Sequence, residues 1–361
     1  MDKILRPNWV EISLEKFIHN LNKLKKILKN KKLMLVVKAN AYGHGMTTIS
    51  RFAEEKKLCS FLGVSAIEEG IELREAGVKL PIIILGSIYP FSNFKYFFEY
   101  KLTPTISSID AMDEIIKYSR QKNSKINVHL KLETGMNRIG ARENSLKRMI
   151  EKAVNSKSVN IEGIYSHLSS ADSDKNYTLW QIENYKNMIK GIKGINFIRH
   201  IANSSATINF PSSHMDMARC GIAAYGNING FEQILQWKTK IVFLKYVKKG
   251  SFISYSKSYK TKRHSKIATI PLGYGDGYLR ALSNKAEVLV NGKRAKLIGT
   301  VTMDMSMIDV TEINVNIGDT VIISGRSGDE SITIKELALK ANTIPYEITT
   351  LITKRVPRIY V

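Results

Sequence analysis

Cysteine and long apolar runs are scarce in this sequence, and their scarcity excludes several protein classes. Among 361 residues only Cys59 and Cys220 are cysteines, which argues against a disulfide framework and predicts a reducing, cytoplasmic location. No apolar run approaches the roughly 20 residues that span a bilayer, and the N-terminal residues lack the apolar segment of a signal peptide. A composition of 43% hydrophobic residues, 23 glycines and 8 prolines excludes collagen-like and disordered classes.

Acidic residues are also scarce relative to basic ones. The 55 lysines and arginines outnumber the 32 aspartates and glutamates, which gives a formal net charge of +23. Such a charge fits nucleic acid, an anionic membrane surface or a small anionic ligand. The basic residues are scattered, however, and neither zinc-finger spacing nor an aromatic RNA-binding signature accompanies them. We therefore predict a lysine-rich solvated surface, with no nucleic-acid partner, no membrane partner and no bound metal.

Short apolar runs alternate with helical patterns in the first half of the chain. The runs are rich in Ile, Val and Leu without strict alternation, as in strands of a parallel sheet that are buried on both faces. Eight such strands over about 210 residues predict a (β/α)8 barrel of the TIM type at residues 12–230, with a doubly wound sheet as the alternative. The predicted strands are Leu33–Lys38, Ser60–Ser65, Ile82–Gly86, Thr103–Ser107, Ile126–Lys131, Ile161–Ser166, Phe197–Ala202 and Met215–Arg219.

The pattern changes after about residue 230. Strand-like runs broken by Gly and Asn-Gly turns predict a mainly antiparallel β domain at residues 231–361. The alternation in NWVEIS (8–13) predicts that the N-terminal residues 1–11 add a strand to that domain. Only Ile334–Ala341 has a helical pattern there, with Ser331 or Thr333 as its N-cap.

Ionisable and hydrogen-bonding residues end or follow five of the predicted barrel strands, where barrel enzymes build their active sites. They are Lys38 at the end of the first strand, Lys131 at the end of the fifth, His167 after the sixth, Asn203 and Ser204 after the seventh, and Arg219 at the end of the eighth. An amine that ends an apolar strand is partly desolvated, which lowers its pKa and suits it to a Schiff base with an aldehyde cofactor. Lys38 could equally extend from the barrel rim into solvent, so both interpretations stay open at this point.

The motifs around these residues resemble those of the alanine racemases. VVKANAYGHG (36–45) resembles the family's pyridoxal-phosphate attachment motif, and seven further segments follow in the family's order. They are LKLETGMNRIG (130–140), GIYSHLSSAD (163–172), ANSSA (202–206), ARCGIAAYG (218–226), PLGYGDGYLRAL (271–282), GTVTMDMSMIDVT (299–311) and PYEITTLITKRVPRIY (345–360). The resemblance runs from about residue 8 to the C-terminus and implies pyridoxal 5'-phosphate as cofactor, a barrel followed by a β domain, and a homodimer.

The resemblance also implies two catalytic acid–base groups, Lys38 and Tyr259, on opposite faces of the substrate α-carbon. Racemisation needs two groups, because a single base tends to return the proton to the face it left. Lys38 would in addition hold the cofactor, and His167 is the family's partner for the tyrosine. A free tyrosine has a pKa of about 10, so it needs a polar or cationic neighbour to act near neutral pH.

The remaining site residues are likewise implied by the resemblance. Arg219 would face the ring nitrogen of the cofactor, where an arginine offers no acceptor and therefore disfavours side reactions such as decarboxylation and transamination. Arg138 would face the cofactor phenolate and the substrate carboxylate, and Lys131, which is carbamylated in many members, would orient it. The other implied contacts are Tyr42, His167, Asn203, Ser204, Gly221, Ile222 and Tyr346 for the cofactor, and Met303 and Asp304 for the substrate in the partner's site.

This sequence departs from the family pattern at several positions. Glu133 stands where aspartate is usual, Thr302 and Thr350 stand where many members have cysteine, and the segment before Tyr259 lacks the family's usual glycine. None of these is a predicted proton carrier. The prediction is therefore an alanine racemase that interconverts L- and D-alanine for peptidoglycan synthesis, with a broader-specificity amino-acid racemase on the same fold as the alternative.

Overall fold

The computed structural model describes residues 4–361, which form two compact units. The barrel unit comprises Asn20–Ala41 and Met46–Ala224. The sheet unit comprises Tyr42–Gly45, Tyr225–Val361 and the described part of Met1–His19. Residues 1–3 of the strand region predicted at 1–11 lie outside the described residues. None of the helices within residues 4–361 is both long enough and apolar enough to cross a bilayer.

The elements alternate strictly only in the first half of the chain. The strands are β1 (Asn8–Ile12), β2 (Lys32–Val36), β3 (Phe61–Val64), β4 (Ile82–Ile84), β5 (Thr103–Ile106), β6 (Ile126–Lys131), β7 (Val159–Tyr165), β8 (Ile198–His200), β9 (Met217–Cys220), β10 (Leu235–Lys240), β11 (Phe243–Val247), β12 (Phe252–Ile253), β13 (Tyr259–Lys260), β14 (Ser265–Ile270), β15 (Glu287–Val290), β16 (Lys293–Ile298), β17 (Ser306–Asp309), β18 (Thr320–Ser327), β19 (Glu330–Ile332) and β20 (Arg358–Tyr360). The right-handed α-helices are α1 (Leu14–Leu28), α2 (Met46–Glu55), α3 (Ile67–Glu75), α4 (Phe94–Glu99), α5 (Ile109–Gln121), α6 (Glu143–Ser156), α7 (Lys175–Lys190), α8 (Ser204–Asn209), α9 (Ile334–Ala341) and α10 (Pro345–Thr350).

Eight parallel strands of the barrel unit form a nearly closed barrel in the order β8–β7–β6–β5–β4–β3–β2–β9. Backbone bonds of 3.0 Å link the two outermost strands, from Asp216 N–H to the Arg199 carbonyl and from Arg219 N–H to the Ala202 carbonyl. Every residue of β3, β4 and β5 is buried, as expected for strands covered on both faces. The predicted TIM-type barrel is confirmed, and the doubly wound alternative is excluded.

Two strand ends differ from the prediction at chemically important residues. β2 ends at Val36, so Lys38 lies two residues beyond the strand and is not its last residue. Arg219 lies inside β9, whereas the sequence pattern placed it at the end of a strand. The apolar run that predicts each strand does not coincide with its hydrogen-bonded ladder, because Val37 is buried without continuing β2 and Cys220 extends β9.

The sheet unit is built around one large, mainly antiparallel sheet. Its strand order is β11–β14–β17–β16–β15–β18–β10–β1–β20, with β19 paired to β18 and with β12 and β13 forming a separate hairpin. β1 pairs antiparallel with β10, from Asn8 opposite Thr239 to Ile12 opposite Leu235. The alternation in the N-terminal segment therefore predicted its pairing correctly. The buried Trp237 donates its indole N–H to Asn8 Oδ1 at 2.8 Å and packs edge-on against Tyr278.

The helices of the sheet unit are more numerous than predicted. α9 begins as expected, because Thr333 Oγ1 accepts the backbone N–H of Glu336 at 3.0 Å and so caps the helix. The prediction that Ile334–Ala341 is the only helix was wrong, since Pro345–Thr350 forms a second one. Pro345 occupies its first turn, where the missing N–H costs no hydrogen bond.

Candidate active site

Arg219 is held by several hydrogen bonds within the barrel unit. Its side chain is buried and donates from Nη2 to the Ser166 carbonyl at 2.7 Å and from Nη1 to the His200 carbonyl at 3.1 Å. Nη1 also lies 2.9 Å from His200 Nδ1, and Nη2 lies 3.1 Å from His167 Nδ1. All these acceptors are neutral groups, so they fix the orientation of the guanidinium from several sides without adding a negative charge beside it.

These contacts determine which ring nitrogen of each histidine carries the proton. A guanidinium only donates, so Nδ1 of both His167 and His200 accepts and the proton of each neutral ring lies on Nε2. His200 Nε2 then donates to His129 Nδ1 at 2.8 Å, and His129 Nε2 donates to Glu162 at 3.2 Å. Burial lowers the pKa of all three histidines, which keeps them neutral.

Lys38 lies at the start of an unusual turn after β2. Ala39, Asn40, Ala41 and Tyr42 all have φ between 51° and 54°, which is the left-handed region. The pKa of the Lys38 amine is lowered, first by burial and then by the positive charge of Arg138. A partly buried amine with a lowered pKa has the chemistry that the sequence predicts at this position, and its role as a nucleophile stays a prediction.

Lys131 is the last residue of β6 and is almost completely buried. Burial, followed by the charges of Arg219 and Arg138, lowers the pKa of its amine to about 8. The amine lies 5.5 Å from the ring centre of Tyr165, and the guanidinium of Arg219 lies 5.0 Å from the same ring. Arg138 itself is exposed in the loop after β6. The carboxyl end of the barrel therefore carries a cluster of positive charges around one aromatic ring.

Asn203, Ser204, Gly221 and Ile222 lie where the chain leaves β8 and β9. Asn203 caps α8, because its Oδ1 accepts the backbone N–H of Ala206 at 3.0 Å. Ser204 Oγ accepts the backbone N–H of Gly221 at 3.2 Å, and Ile222, the residue after Gly221, is buried. This segment therefore holds a hydroxyl and backbone N–H groups, which are neutral donors suited to a phosphate.

Tyr42 and Tyr346 lie together in the sheet unit. Their ring centres are 5.9 Å apart, and the ring of Tyr42 is 5.1 Å from that of Tyr225. The loop that begins at Tyr42 requires glycine, since a Cβ on Gly43 would lie only 1.9 Å from the Thr349 carbonyl oxygen. Gly43 also has a φ of +85°, which favours glycine independently of the space.

Tyr259 is the first residue of β13, opposite Ile253 in the hairpin with β12. The loop before it contains three residues other than glycine with positive φ, namely Ser254 at 67°, Ser256 at 57° and Lys257 at 52°. Here the chain adopts left-handed conformations without the glycine that the family pattern contains. Hydroxyl groups support the loop, since Ser254 Oγ donates to the Thr300 carbonyl at 2.7 Å.

Met303 and Asp304 lie in an exposed segment of the sheet unit. The Asp304 carboxylate accepts a bond of 2.6 Å from Arg355 Nη2, and its backbone carbonyl accepts one of 3.2 Å from Arg6. The Met303 carbonyl accepts the backbone N–H of Gly275 at 2.9 Å. The side chain of Met303 is 53% exposed, which is unusual for an apolar residue that serves only core packing.

The structure thus divides the predicted site residues between its two units. The barrel unit holds Lys38, Lys131, Arg138, His167, Asn203, Ser204, Arg219, Gly221 and Ile222, and the sheet unit holds Tyr42, Tyr259, Met303, Asp304 and Tyr346. Sequence reasoning missed Tyr165 and the chain from His200 through His129 to Glu162. One signal was available, because His129 and Lys131 are two residues apart in β6 and so project to the same face.

The barrel has a half-buried and a buried lysine, an arginine and histidines at its carboxyl end, and a β-sheet unit follows it in the chain. This arrangement is typical of a barrel enzyme with its active site at that end. Comparison with known proteins gives the family. Residues 12–228 match the model of the alanine racemase N-terminal domain, and residues 234–360 match that of the alanine racemase C-terminal domain.

Curated relatives and solved structures match along nearly the whole chain. The chain is 42% identical to the alanine racemase of Halothermothrix orenii, over 99% of this chain and 98% of that relative. It is 39% identical to alanine racemase 1 of Caldanaerobacter subterraneus subsp. tengcongensis, over 99% and 95%. The alanine racemase structures from Clostridium difficile 630 and E. faecalis superpose with TM-scores of 0.92 and 0.94, at 34% and 32% identity. These matches cover 99% of this chain and 97% and 98% of those chains.

The chain belongs to the alanine racemase family. As a member of that family it is an amino-acid racemase, an isomerase, with alanine racemase activity. The family depends on pyridoxal phosphate.

Proposed function

We propose that this chain interconverts L- and D-alanine with Lys38 and Tyr259 as the two acid–base groups. The observation that carries the proposal is the Lys38 amine, whose pKa is lowered by burial and by Arg138 at the carboxyl end of the barrel. A lowered pKa leaves more of the amine neutral near neutral pH, so it can accept a proton from the substrate α-carbon. Tyr259 would deliver a proton to the opposite face, and the roles reverse in the other direction.

His167 would assist Tyr259. Because its Nδ1 accepts from Arg219, its free proton lies on Nε2, from which it can only donate. A donor of this kind stabilises a phenolate oxygen and so lowers the pKa of a tyrosine that it contacts. In this proposal Arg219 sets the protonation of His167 and thereby the readiness of the tyrosine to give up its proton.

The residues present fit pyridoxal 5'-phosphate. Lys38 would hold it through its amine, and Asn203, Ser204 and the backbone N–H groups of Gly221 and Ile222 would bind near its phosphate, together with the phenols of Tyr42 and Tyr346. Arg219 would face the ring nitrogen, and the groups that accept its hydrogen bonds are carbonyls and imidazoles rather than carboxylates. When bound, the cofactor supplies an electron-withdrawing ring that stabilises negative charge on the α-carbon.

We also propose that Arg138 and the backbone of Met303 bind the substrate carboxylate, and that Asp304 lies beside Met303 at the partner's site. Lys131 would orient Arg138. A pKa of about 8 leaves a substantial fraction of the Lys131 amine neutral at physiological pH. A neutral amine can add carbon dioxide to form a carbamate, which carries a negative charge. Carbamylation would convert Lys131 from a cation that repels Arg138 into an anion that pairs with it.

The proposed enzyme is a homodimer in the cytoplasm that supplies D-alanine for peptidoglycan. Two features support shared sites, namely the family resemblance and the exposed aromatic residues Phe252 and Tyr255 on the hairpin that carries Tyr259. Both cysteines are buried free thiols, as suits a reducing compartment. In this arrangement the Tyr259 of one subunit works with the Lys38 of the other.

Mixing two inactive variants tests this arrangement. Lys38→Ala and Tyr259→Ala each remove one acid–base group, so each homodimer should be inactive. If subunits share sites, a mixed dimer contains one site with both groups intact, and mixing should restore about a quarter of wild-type activity when half of the dimers are mixed. Failure of the mixture to regain activity, after mixed dimers are verified by mass spectrometry, would place both groups in one subunit.

A polarimetric assay against a panel of L-amino acids tests the substrate. The proposal expects alanine to give the highest kcat/KM. Comparable values for larger amino acids would instead support the broader-specificity racemase.

A further inference from the structure

The backbone that follows Lys38 is strained. Ala39, Asn40, Ala41 and Tyr42 form a run of left-handed residues, and none of them is glycine. A residue with a Cβ is strained in this conformation, because its Cβ approaches the following carbonyl oxygen. The turn therefore persists only because contacts with its surroundings hold it.

Glu69 provides a contact to this turn from a different element. Its Oε1 accepts the backbone N–H of Ala39 at 2.6 Å. Its Oε2 accepts the N–H groups of Ser65 at 2.7 Å and Ala66 at 3.1 Å, at the beginning of α3. A glutamate three residues after a helix N-cap commonly accepts the N-cap N–H, so the contact with Ala66 is ordinary helix capping. The contact with Ala39 is not part of helix capping and needs its own explanation.

The two oxygens of this carboxylate connect the loops that follow two adjacent strands. β2 and β3 pair in parallel, and Glu69 joins the chain after β2 to the chain after β3. The bond to Ala39 is short and involves a charged acceptor, which makes it stronger than a bond between neutral groups. Within the turn itself, Ala41 N–H donates to the Val37 carbonyl at 2.7 Å and Met46 N–H to Asn40 Oδ1 at 2.8 Å.

We propose that Glu69 is a positioning residue of this enzyme, which holds the left-handed turn and thereby fixes the backbone from which Lys38 extends. This inference rests on the proposed function of Lys38. Glu69 also acts on the amine electrostatically, because its negative charge raises the pKa of Lys38 against the opposing effects of burial and Arg138. The Glu69 carboxylate thus fixes the position of Lys38 and favours its protonated form.

The test compares Glu69→Gln with Glu68→Gln in the full-length protein. A glutamine has one acceptor oxygen and one donor group, so it cannot accept from both loops. Glu68 is the preceding residue on α3 and is exposed, which makes its variant a matched control. In the cofactor-free protein, hydrogen–deuterium exchange of the peptide covering residues 38–46 should accelerate in Glu69→Gln and not in Glu68→Gln. Titration with pyridoxal 5'-phosphate should show about a tenfold weaker affinity in Glu69→Gln alone.

A second substitution separates turn positioning from general stabilisation of α3. Glycine adopts left-handed backbone without strain, so Ala39→Gly removes part of the need for Glu69. The double variant Ala39→Gly/Glu69→Gln should recover at least half of the lost affinity. Wild-type exchange and affinity in Glu69→Gln, or no recovery in the double variant, would overturn the assignment of Glu69.

A third variant distinguishes this failure from a failure of the proposed function. After borohydride reduction, mass spectrometry should find the cofactor fixed to Lys38 in Glu69→Gln and absent from Lys38→Ala. Cofactor still fixed in Lys38→Ala would overturn the role of the lysine itself.

Discussion

The two proposed catalytic residues lie beside strained backbone in both units, but the strain is supported in different ways. In the barrel unit, the turn after Lys38 is bound by the charged carboxylate of Glu69. In the sheet unit, the loop before Tyr259 is bound by neutral hydroxyls such as those of Ser254 and Thr300. A charged support also changes the pKa of a neighbouring amine, whereas a neutral support provides geometry alone. In the barrel unit, the support therefore affects both the backbone conformation and the pKa of the proposed catalytic residue. In the sheet unit, it affects the backbone conformation alone.

The largest expected effect tests whether Lys38 of the barrel unit and Tyr259 of the sheet unit serve opposite faces of the substrate α-carbon. Tyr259→Phe should reduce racemisation by roughly 10²–10⁴-fold, because it removes a general acid–base group. In deuterium oxide, one enantiomer of alanine should still exchange its α-hydrogen through Lys38 without inversion, as NMR would show. Tyr246→Phe, in β11 and 67% exposed, is the control and should retain activity. Loss of exchange from both enantiomers in Tyr259→Phe would assign the tyrosine a structural role.

The next largest effect is the dependence of the free energy of unfolding on pH, which should arise from buried histidines of the barrel unit. The folded-state pKa values of His129, His167 and His200 are lowered by burial, so below about pH 6.5 the unfolded state binds more protons. Stability from these neutral rings is therefore present above pH 6.5 and is lost as pH falls. The free energy of unfolding should decrease by up to about 4 kcal/mol per pH unit, with about 1.4 from each ring. Denaturant titrations between pH 5 and 7.5 measure this slope.

A variant identifies the source of that slope. His200→Asn removes one titrating ring and keeps an oxygen that can accept from Arg219. Its unfolding free energy should depend less steeply on pH than that of the wild type. An unchanged slope would show that the buried histidines do not control the acid sensitivity.

A smaller effect on activity should come from the hydroxyl groups that support the loop before Tyr259 in the sheet unit. Thr300 Oγ1 donates to Ser258 Oγ at 2.8 Å, directly before Tyr259 in the chain. Thr300→Val removes this bond with little change in volume, and kcat should fall by up to about tenfold. Cofactor affinity, measured by absorbance titration, should stay unchanged because none of the proposed cofactor contacts lies in the affected loop. A parallel loss of affinity would contradict the proposal that this loop supports Tyr259 alone.

The smallest expected effect is a gain in stability. Ser254 has φ 67° and ψ −176°, a region that glycine occupies almost exclusively. Ser254→Gly should raise the free energy of unfolding by about 1 kcal/mol, since the relief of strain exceeds the loss of the hydroxyl bond to Thr300. Calorimetry would show this as a rise in Tm of a few degrees. A lower Tm would mean that the hydroxyl contributes more than the strain costs.

Much of the fold could be predicted because its signals are local. The apolar runs predicted eight barrel strands, and the alternation in NWVEIS predicted the pairing of β1. The short helix Pro345–Thr350 was missed, since a single turn leaves little periodicity to detect. The domain bounds 12–230 and 231–361 stay predictions. Two consecutive ranges cannot describe the two units, because Tyr42–Gly45 lie in the sheet unit although barrel residues flank them on both sides.

Only part of the candidate site was predicted, because only some of its residues are marked by local signals. Lys38, Arg219 and His167 could be named as candidates because motifs and strand ends mark them in the chain, and their roles stay predictions. Glu69, His129 and Glu162 were missed, since each acts through a partner at least 30 positions away.

By itself, the order of residues determined the alternation of strands and helices, the family, and the chemical groups available to the reaction, because these depend on residue type and near spacing. Only the tertiary structure decided which nitrogen of each histidine carries a proton, how far the pKa of Lys131 falls, and which carboxylate holds the turn after Lys38. Hydrogen-bond direction and desolvation depend on atoms brought together from distant parts of the chain, and no local pattern records those distances.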